Sequence, residues 1–348
     1  MSNLFLSALN RQNKFRPPVW FMRQAGRYHS HYQTIRKKHD FMEICKNPAI
    51  ATEVTVGPIN DFDFDAAILF SDLLFPLESM GMGLSYRDGP PKLDWYLKKT
   101  TDLKRLKSGA ELKDSLLFQS EAVKQIKAIL PKEKGFIGFV GGPLTLYCYA
   151  TCGSHQGSLE DAKVGLKDGR YLGFIEKLEG LLIENMLIQA SSGVDVIAVL
   201  DTCAGEFSVS EFKEFGLPSL KRVFNQYLKQ PGAKPILYYT KGTDFSYWDL
   251  LTELPIKGIG VDWKQNIIEV LERYSDIWAI QGNFNPNLML ETNHDFFQES
   301  LELFFNPILK IPHSKLKGWI CGLGHGILQK TPEENVRKFI AYQREIFK

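Results

Sequence analysis

Arg23-Gln24-Ala25-Gly26-Arg27-Tyr28 sets two guanidinium groups four residues apart around a pair of small residues. Arginine presents a planar fork that matches carboxylate or phosphate, and converging forks suit a polyanion better than a single acid. Ala25 and Gly26 let such a ligand approach the backbone. A surface ion pair is the commoner use of any one arginine, and Arg36-Lys37-Lys38 reads as a solvated helix face. Arg23 and Arg27 follow directly on the apolar run Val19-Trp20-Phe21-Met22, and there binding is the better reading. Asp72 closes a second apolar run, Ile68-Leu69-Phe70-Ser71. A carboxylate delivered to the end of a buried strand needs a cationic or N–H partner, and it can orient that partner, stabilise positive charge or move a proton. Capping the next helix is compatible with those roles. His325 stands between two glycines in Leu323-Gly324-His325-Gly326, where few side chains cover its ring and a ligand-facing imidazole is expected. Tyr149 and Thr202 would pass for core and turn residues but for their place soon after other apolar runs.

Charge is distributed unevenly around these residues. The first 39 residues hold eight Lys or Arg and no acid, while the whole chain is only +2, with 42 basic and 40 acidic residues. The other 309 residues therefore carry 34 basic against 40 acidic groups, a net −6. A local cationic segment on a slightly acidic body points to a multiply charged anion met at one place. An organelle transit peptide would be Ser-rich and amphipathic, whereas Pro17-Pro18-Val19-Trp20-Phe21-Met22 reads as folded protein. The apolar Leu4-Phe5-Leu6-Ser7-Ala8-Leu9 precedes the charges and is too short for a secretory signal. A nucleic-acid arm with Tyr28 and Tyr32 as stacking rings has no basic track to continue it, so no nucleic-acid partner is expected.

The 348 residues, 44% hydrophobic and 24% charged, fit a soluble globular chain with material for a large core. No apolar run approaches the roughly 20 residues of a membrane span, so no membrane partner is expected. Five scattered cysteines (Cys45, Cys148, Cys152, Cys203, Cys321) lack any Cys-x-x-Cys pair. Cys148 and Cys152 have helical spacing with only His155 nearby, which disfavours both a disulfide framework and a zinc site and suits a reducing cytoplasm.

Short apolar runs alternate with longer amphipathic stretches, the signature of β-α repeats. The strands are expected at Val19 to Met22, Ala66 to Phe70, Phe136 to Val140, Val194 to Leu200, Pro235 to Tyr239, Gly258 to Val261, Ile277 to Gln281 and Trp319 to Gly322. Between them, Asn47-Pro48 reads as a helix cap and first turn, Tyr171 to Ser192 as a long amphipathic helix ended by Gly193, and Thr331-Pro332-Glu333-Glu334 as the opening of the last helix. Eight near-continuous apolar strands predict parallel pairing with both faces covered, a single (βα)8 TIM barrel over residues 1–348. In such a barrel the residues just after each strand form the site, and those are the residues singled out above. An open doubly wound dinucleotide fold is the alternative, but only one glycine follows the first strand where its phosphate fingerprint would lie.

Four stretches carry a resemblance. Pro18 to Tyr28, Asp65-Ala66-Ala67-Ile68-Leu69-Phe70-Ser71-Asp72, Gly138-Phe139-Val140-Gly141-Gly142-Pro143-Leu144-Thr145-Leu146 and Gly322-Leu323-Gly324-His325-Gly326 resemble the signature stretches of uroporphyrinogen decarboxylases, a likeness that runs from about the tenth residue to the last helix. The resemblance implies a homodimeric, cytoplasmic, cofactor-free and metal-free (βα)8 barrel. It would remove the four acetate carboxyls of uroporphyrinogen III to give coproporphyrinogen III and carbon dioxide. It further implies Asp72 as the pyrrole-binding carboxylate, and Arg23 and Arg27 as carboxylate-binding groups that share in catalysis. Gln24, Ala25 and Gly26 would shape the substrate loop, Tyr149, Thr202 and His325 would contact substrate, Phe139 would line the pocket, and Arg36 would be a further arginine at the mouth. An octa-anionic macrocycle would account for a local arginine cluster in a nearly neutral protein.

The sequence departs from that pattern in places. His29-Ser30-His31-Tyr32 replaces a frequent Leu-Pro-Glu-Tyr, Leu144 stands where Trp is frequent, Thr202 keeps the hydroxyl of a frequent Ser, and Cys203 follows where an aromatic is common. Two other functions compete. Zinc-dependent methyltransferases of the same superfamily, acting on a corrinoid protein or coenzyme M, carry a His-x-Cys pair after a mid-barrel strand, where this chain has Tyr238-Tyr239-Thr240-Lys241-Gly242. A non-catalytic tetrapyrrole binder would have no need to keep Asp72 together with both arginines.

Overall fold

Seven of the eight apolar runs become strands: β1 (Ala66–Ile68), β2 (Gly135–Gly141), β3 (Val196–Asp201), β4 (Ile236–Thr240), β5 (Gly258–Gly260), β6 (Ala279–Phe284) and β7 (Trp319–Leu323). The computed structural model describes residues 3–14, 16–86, 89–154 and 157–348, so His155, weighed above beside Cys148 and Cys152, lies outside the described residues. Every neighbouring pair is parallel, and the strands follow one another in chain order. A doubly wound sheet would reverse its strand order at a switch point, and this order has none.

The sequence-based expectation of eight strands is corrected at its first member. Val19 to Met22 makes a single parallel bridge, Val19 to Cys321. Trp20 N–H donates to the Cys321 carbonyl at 3.0 Å and Cys321 N–H to the Pro18 carbonyl at 2.9 Å, while on the other side Asp65 N–H donates to the Val19 carbonyl at 2.9 Å. Pro17 and Pro18 have no N–H to extend a ladder, Val19 N–H is taken by the Asp65 carboxylate at 2.7 Å, and a turn begins at Met22.

Side chains alternate across each strand, so the sheet separates two cores. Ala66, Ile68, Ile137, Val196, Ala198, Leu200, Leu237, Tyr239, Ala279 and Ile320 face inward with Trp20 and Met22, and Phe5, Ala8 and Leu9 of α1 (Leu4–Leu9) fill one end of that interior. The outward residues pack under the helices in a second, larger cluster. Of all the strand residues, only Phe139 keeps appreciable surface.

Three helices follow the arginine segment: α2 (Ser30–Arg36), α3 (Phe41–Lys46) and α4 (Pro48–Phe62). The Asn47 side chain accepts from Ala49 and Ile50 N–H, as the Asn-Pro signal predicts. The long helix runs Arg170–Ser192 and ends at Gly193 with φ 129°. Leu172, expected on its apolar face, is exposed, and Phe174, Ile175, Leu178, Leu182 and Met186 are buried. The last helix, Glu333–Ile346, is capped by Pro332 and not by Thr331, and Glu333 turns away to accept from Ser30 N–H at 2.7 Å.

Arg16, one of the eight early cations, is absorbed by this framework. It forks onto Asp65 with both contacts at 2.7 Å, while Asp65 also holds Val19 N–H. Asp65→Ala leaves a largely enclosed guanidinium and a buried N–H unpaired, and is expected to cost about 2–4 kcal/mol. A fall in the urea midpoint at unchanged m-value checks this; a shift within error would mean the pair contributes no net stability.

Candidate active site

The site gathers where the C-terminal ends of β1 to β4 and β7 meet the Arg23–Arg27 segment. Arg23 has φ 63°, in the left-handed region that costs a non-glycine residue roughly 1 kcal/mol. Ile327 N–H donates to the Met22 carbonyl at 3.0 Å, which ties this turn to the loop after β7. There Gly326 is needed for space, since a Cβ on it would lie 2.5 Å from Arg23 Cδ. The exposed Arg23 side chain is thus laid across the segment that carries His325.

Asp72 follows β1, partly buried, and is held at both carboxylate oxygens. Leu74 N–H donates to Oδ1 at 2.8 Å and the Tyr86 hydroxyl to Oδ2 at 2.6 Å. Burial pushes this carboxyl above its ordinary range, while the Tyr86 and Leu74 donors and the Arg23 guanidinium pull it back. The Leu74 contact caps the turn after β1 and not the helix expected to start there, since the next helix, Phe75–Leu77, has Leu74 at its N-cap position, and the second oxygen is committed to a tyrosine. Arg23 favours the ionised form not only of Asp72 but also of Tyr149 and Tyr239, although burial holds both phenols well above their usual range. These four side chains therefore share one field.

Tyr149 rides on the helix Pro143–Cys152, whose start is fixed by Asp201, the last residue of β3. Asp201 is fully buried and accepts from Thr145 N–H and Thr145 Oγ1, both at 2.8 Å, and from the Tyr238 hydroxyl at 2.9 Å. A Cβ on Gly142 would overlap this carboxylate, so the glycine admits the contact. Burial raises the Asp201 carboxyl and those donors oppose it, which marks a framework anchor more than a mouth group. Thr202, partly buried, is the next residue, and Cys203 N–H donates to Thr145 Oγ1 at 3.0 Å, closing the brace between β3 and the helix.

His325 is oriented by Tyr239, the inward residue near the end of β4. Tyr239 Oη lies 2.9 Å from the Gly324 carbonyl and 2.9 Å from His325 Nδ1, and the two rings stack at 6.0 Å. A phenol has one proton and a carbonyl can only accept. Both contacts are satisfied when Tyr239 donates to Gly324 and His325 donates from Nδ1 to Tyr239. Tyr239→Phe keeps the ring and removes this hold; kcat/KM is expected to fall about tenfold, with a loss of about 1–3 kcal/mol of stability because the buried Gly324 carbonyl loses its donor. Unaltered kcat/KM would show that His325 needs no such orientation.

A row of aromatic rings borders the mouth: Tyr32 to Phe70 at 5.4 Å, Phe70 to Phe41 at 5.8 Å and Phe41 to Tyr86 at 4.5 Å. Arg27 and Arg36 both act on Tyr32, so the two further arginines stand along this row. Each is exposed. Arg36 Nη1 donates to the His39 carbonyl at 2.8 Å, and the Arg27 fork meets the Gln329 amide, whose oxygen, turned to face it, accepts from Nε at 3.3 Å and Nη2 at 2.5 Å. Phe139, on the inner face of β2, is partly buried and packs against the inward-facing cluster.

The sequence-derived candidates thus divide by place. Arg23, Asp72, Tyr149 and His325 are brought together, Thr202 follows the end of β3 and Phe139 lies within the neighbouring β2, and Arg27 and Arg36 edge the opening. Gln24 and Ala25 sit behind it: Gln24 is 1% exposed with Nε2 donating to the Ala66 carbonyl at 2.9 Å, and Ala25 packs with Tyr32, Ile35, Ile44 and Val54. Gly26 leads into the next turn, its carbonyl accepting from His29 N–H at 3.0 Å. Two residues at the site escaped sequence reasoning. Tyr239 ends an expected strand, and that position was the available signal; Tyr86 lies in an irregular stretch without one.

No three metal-ligating side chains gather among the described residues. Around the end of β4 the chain reads Tyr238-Tyr239-Thr240-Lys241-Gly242, without the His or Cys of a His-x-Cys pair. The arrangement is an apolar interior opening onto one held carboxylate, an imidazole and three guanidinium groups.

Comparison with known proteins gives a consistent result. The family model described as uroporphyrinogen decarboxylase (URO-D) matches residues 2–346. A uroporphyrinogen decarboxylase of Legionella pneumophila strain Lens is 34% identical over 99% of this chain and 97% of that protein, and one of Anaeromyxobacter sp. strain Fw109-5 is 33% identical over 98% and 97%. Among solved structures, a methyltransferase from Methanosarcina mazei superposes with a TM-score of 0.75 at 17% identity over the full length of both chains, a likeness of fold alone.

Proposed function

The chain belongs to the uroporphyrinogen decarboxylase family, and on that premise we propose how its residues carry out the reaction: removal of the four acetate carboxyls of uroporphyrinogen III to give coproporphyrinogen III and carbon dioxide. In each step a ring-bound CH2–COO⁻ becomes CH3, with one proton consumed and one CO2 released. The C–C bond breaks heterolytically, so its electron pair needs a sink. Protonating the pyrrole carbon next to the acetate makes the ring an iminium-like cation that accepts the pair as CO2 leaves. The resulting exocyclic methylene then takes a proton to become methyl, and the ring carbon loses its own.

Asp72 is the group we assign to that cation. Its carboxylate accepts pyrrole N–H groups and stabilises the positive charge that develops on them. The observation that carries this reading is one carboxylate, held at both oxygens by Leu74 N–H and Tyr86, above an apolar interior and beside Arg23. Arg23, Arg27 and Arg36 take the peripheral carboxylates of the macrocycle, with Arg23 nearest the chemistry. Tyr149, Thr202 and His325 supply polar contacts, Phe139 lines the apolar wall, and the Gln24-Ala25-Gly26 turn sets the position of the arginines through the core behind it.

The same reading extends to architecture. Residues 18–20, bonded to β7 on one side and to Asp65 on the other, stand in the eighth strand position of one (βα)8 domain spanning the chain. Five free cysteines suit a reducing cytoplasm, and no helix among the described residues is long and apolar enough to cross a membrane. A homodimer completes the proposal; Phe296 and Leu303 leave apolar surface on the helix His294–Ile308 of the kind a subunit contact covers.

Anaerobic incubation with uroporphyrinogen III tests the function. Coproporphyrinogen III is expected as product. A macrocycle bound tightly but returned with all four acetates would favour a carrier, and methyl transfer to a thiol by zinc-loaded protein would favour the superfamily rival.

A further inference from the structure

We propose that Tyr86 is a positioning residue for the decarboxylation, its hydroxyl fixing the orientation and the anionic state of Asp72; the proposal rests on the role given to Asp72 above. Leu74 N–H and Tyr86 Oη bind different oxygens of one carboxylate, at 2.8 Å and 2.6 Å. Rotation about Cβ–Cγ would break at least one of these bonds, so the carboxylate plane is set. Each carboxylate oxygen accepts about two hydrogen bonds. One acceptor site therefore stays open on each oxygen, a pair suited to two pyrrole N–H groups.

Tyr86 is itself well anchored, which a positioning role requires. Its ring lies 4.5 Å from that of Phe41, at the start of α3, and Phe41 in turn meets Phe70 at 5.8 Å. The preceding residue, Ser85, forms an antiparallel bridge with Lys92 through bonds of 2.9 and 3.0 Å. The phenol is therefore held from its ring and from its backbone, and its hydroxyl has one direction to point.

Its chemistry also fits a donor and not an acid. Burial and the neighbouring Asp72 push the Tyr86 phenol far above its ordinary range, so it stays protonated and donates throughout the working pH range. The same property makes it a poor source of the proton delivered to carbon. The other charged and titratable groups facing Asp72 are Arg23, which favours its ionised form, Glu78, which opposes it, and Tyr149 and Cys45. Against burial and Glu78, the hydroxyl of Tyr86 is the side-chain donor bonded directly to the carboxylate.

Tyr86→Phe keeps the ring packing and deletes the bond. It is expected to lower kcat about tenfold with little change in KM, because an ill-oriented or protonated Asp72 weakens stabilisation of the cation more than binding of the multiply charged macrocycle. Losing a donor to the anion raises the Asp72 pKa, so the acid limb of kcat/KM moves to higher pH in the variant, with the substrate's own titration common to both proteins. In the substrate-free protein labelled with [γ-13C]aspartate, the Asp72 resonance, assigned by its loss in Asp72→Asn, should titrate at higher pH in Tyr86→Phe than in the parent. An unmoved Asp72 titration overturns the proposal whether or not the chain decarboxylates anything. So does an unmoved acid limb at parental kcat, whereas a parent protein that yields no coproporphyrinogen refutes the functional reading and leaves the resonance titration to decide the role of Tyr86.

Discussion

Asp72→Asn is expected to fold like the parent and to lose about 10²- to 10³-fold in kcat. The amide is nearly isosteric, and Leu74 N–H can still donate to its oxygen, so the turn after β1 should persist. What disappears is the negative charge opposite the developing pyrrole cation. An amide presents one accepting oxygen and a donor NH2; the NH2 can be accepted by the Tyr86 hydroxyl, which then no longer donates, but it meets a pyrrole N–H donor to donor. Macrocycle binding should weaken much less, because the peripheral carboxylates still meet the arginines. Titration with uroporphyrinogen III followed by single-turnover product analysis separates the two effects. Near-parental turnover by this variant would remove Asp72 from the chemistry altogether.

The second large effect is expected at Arg23. Arg23→Gln should lower kcat/KM by about 10²-fold, and Arg27→Gln by about tenfold, with the latter appearing mainly in KM. The difference follows from their surroundings. Arg23 lies against Gly326 and its charge acts on Asp72, Tyr149 and Tyr239, whereas Arg27 is shared with Gln329 at the edge of the opening. Without Arg23 the Asp72 carboxyl rises further, so ionised Asp72 is lost at higher pH and the acid limb moves up; stability at Arg23 itself has little to lose. With φ at 63°, Arg23→Gly relieves backbone strain, and its thermal midpoint should be no lower than the parent's while activity falls. Equal effects of Arg23→Gln and Arg27→Gln would contradict this ordering.

How much of this was legible in the sequence can be judged residue by residue. Strands showed themselves because both faces are covered, giving near-continuous apolar runs such as Val196 to Leu200, and helix ends because Asn47 and Gly193 are chemically suited to them. The run at Val19 looked like the others, but two prolines and the Asp65 carboxylate take away the hydrogen bonds that would make it a strand. That Arg23, Asp72 and His325 would come together was legible because each follows an apolar run, and residues after parallel strands share one end of the sheet. Gln24 was not, since nothing in its spacing says that it turns inward to the Ala66 carbonyl. Tyr86 was hidden for a different reason. Its partner is 14 residues away in a stretch with no repeating pattern, and only the folded path of the chain brings hydroxyl and carboxylate to 2.6 Å.

The early charge excess resolves in the same way. Of eight cations, Arg16 is structural, Lys37 and Lys38 are exposed, and Arg23, Arg27 and Arg36 are the ones near the mouth. The concentration of charge is therefore less a general attraction than two guanidinium groups along one aromatic edge and a third, Arg23, beside Asp72.

Decarboxylation by chelator-treated, cofactor-free protein in deuterated buffer under anaerobic conditions tests the central claim most directly. The pyrrole ring as electron sink and a solvent proton for each exocyclic methylene require four CO2 per uroporphyrinogen III and one deuterium in each new methyl group of the coproporphyrinogen III. Turnover that appears only after a metal or organic cofactor is restored, or new methyl groups without solvent deuterium, would contradict it.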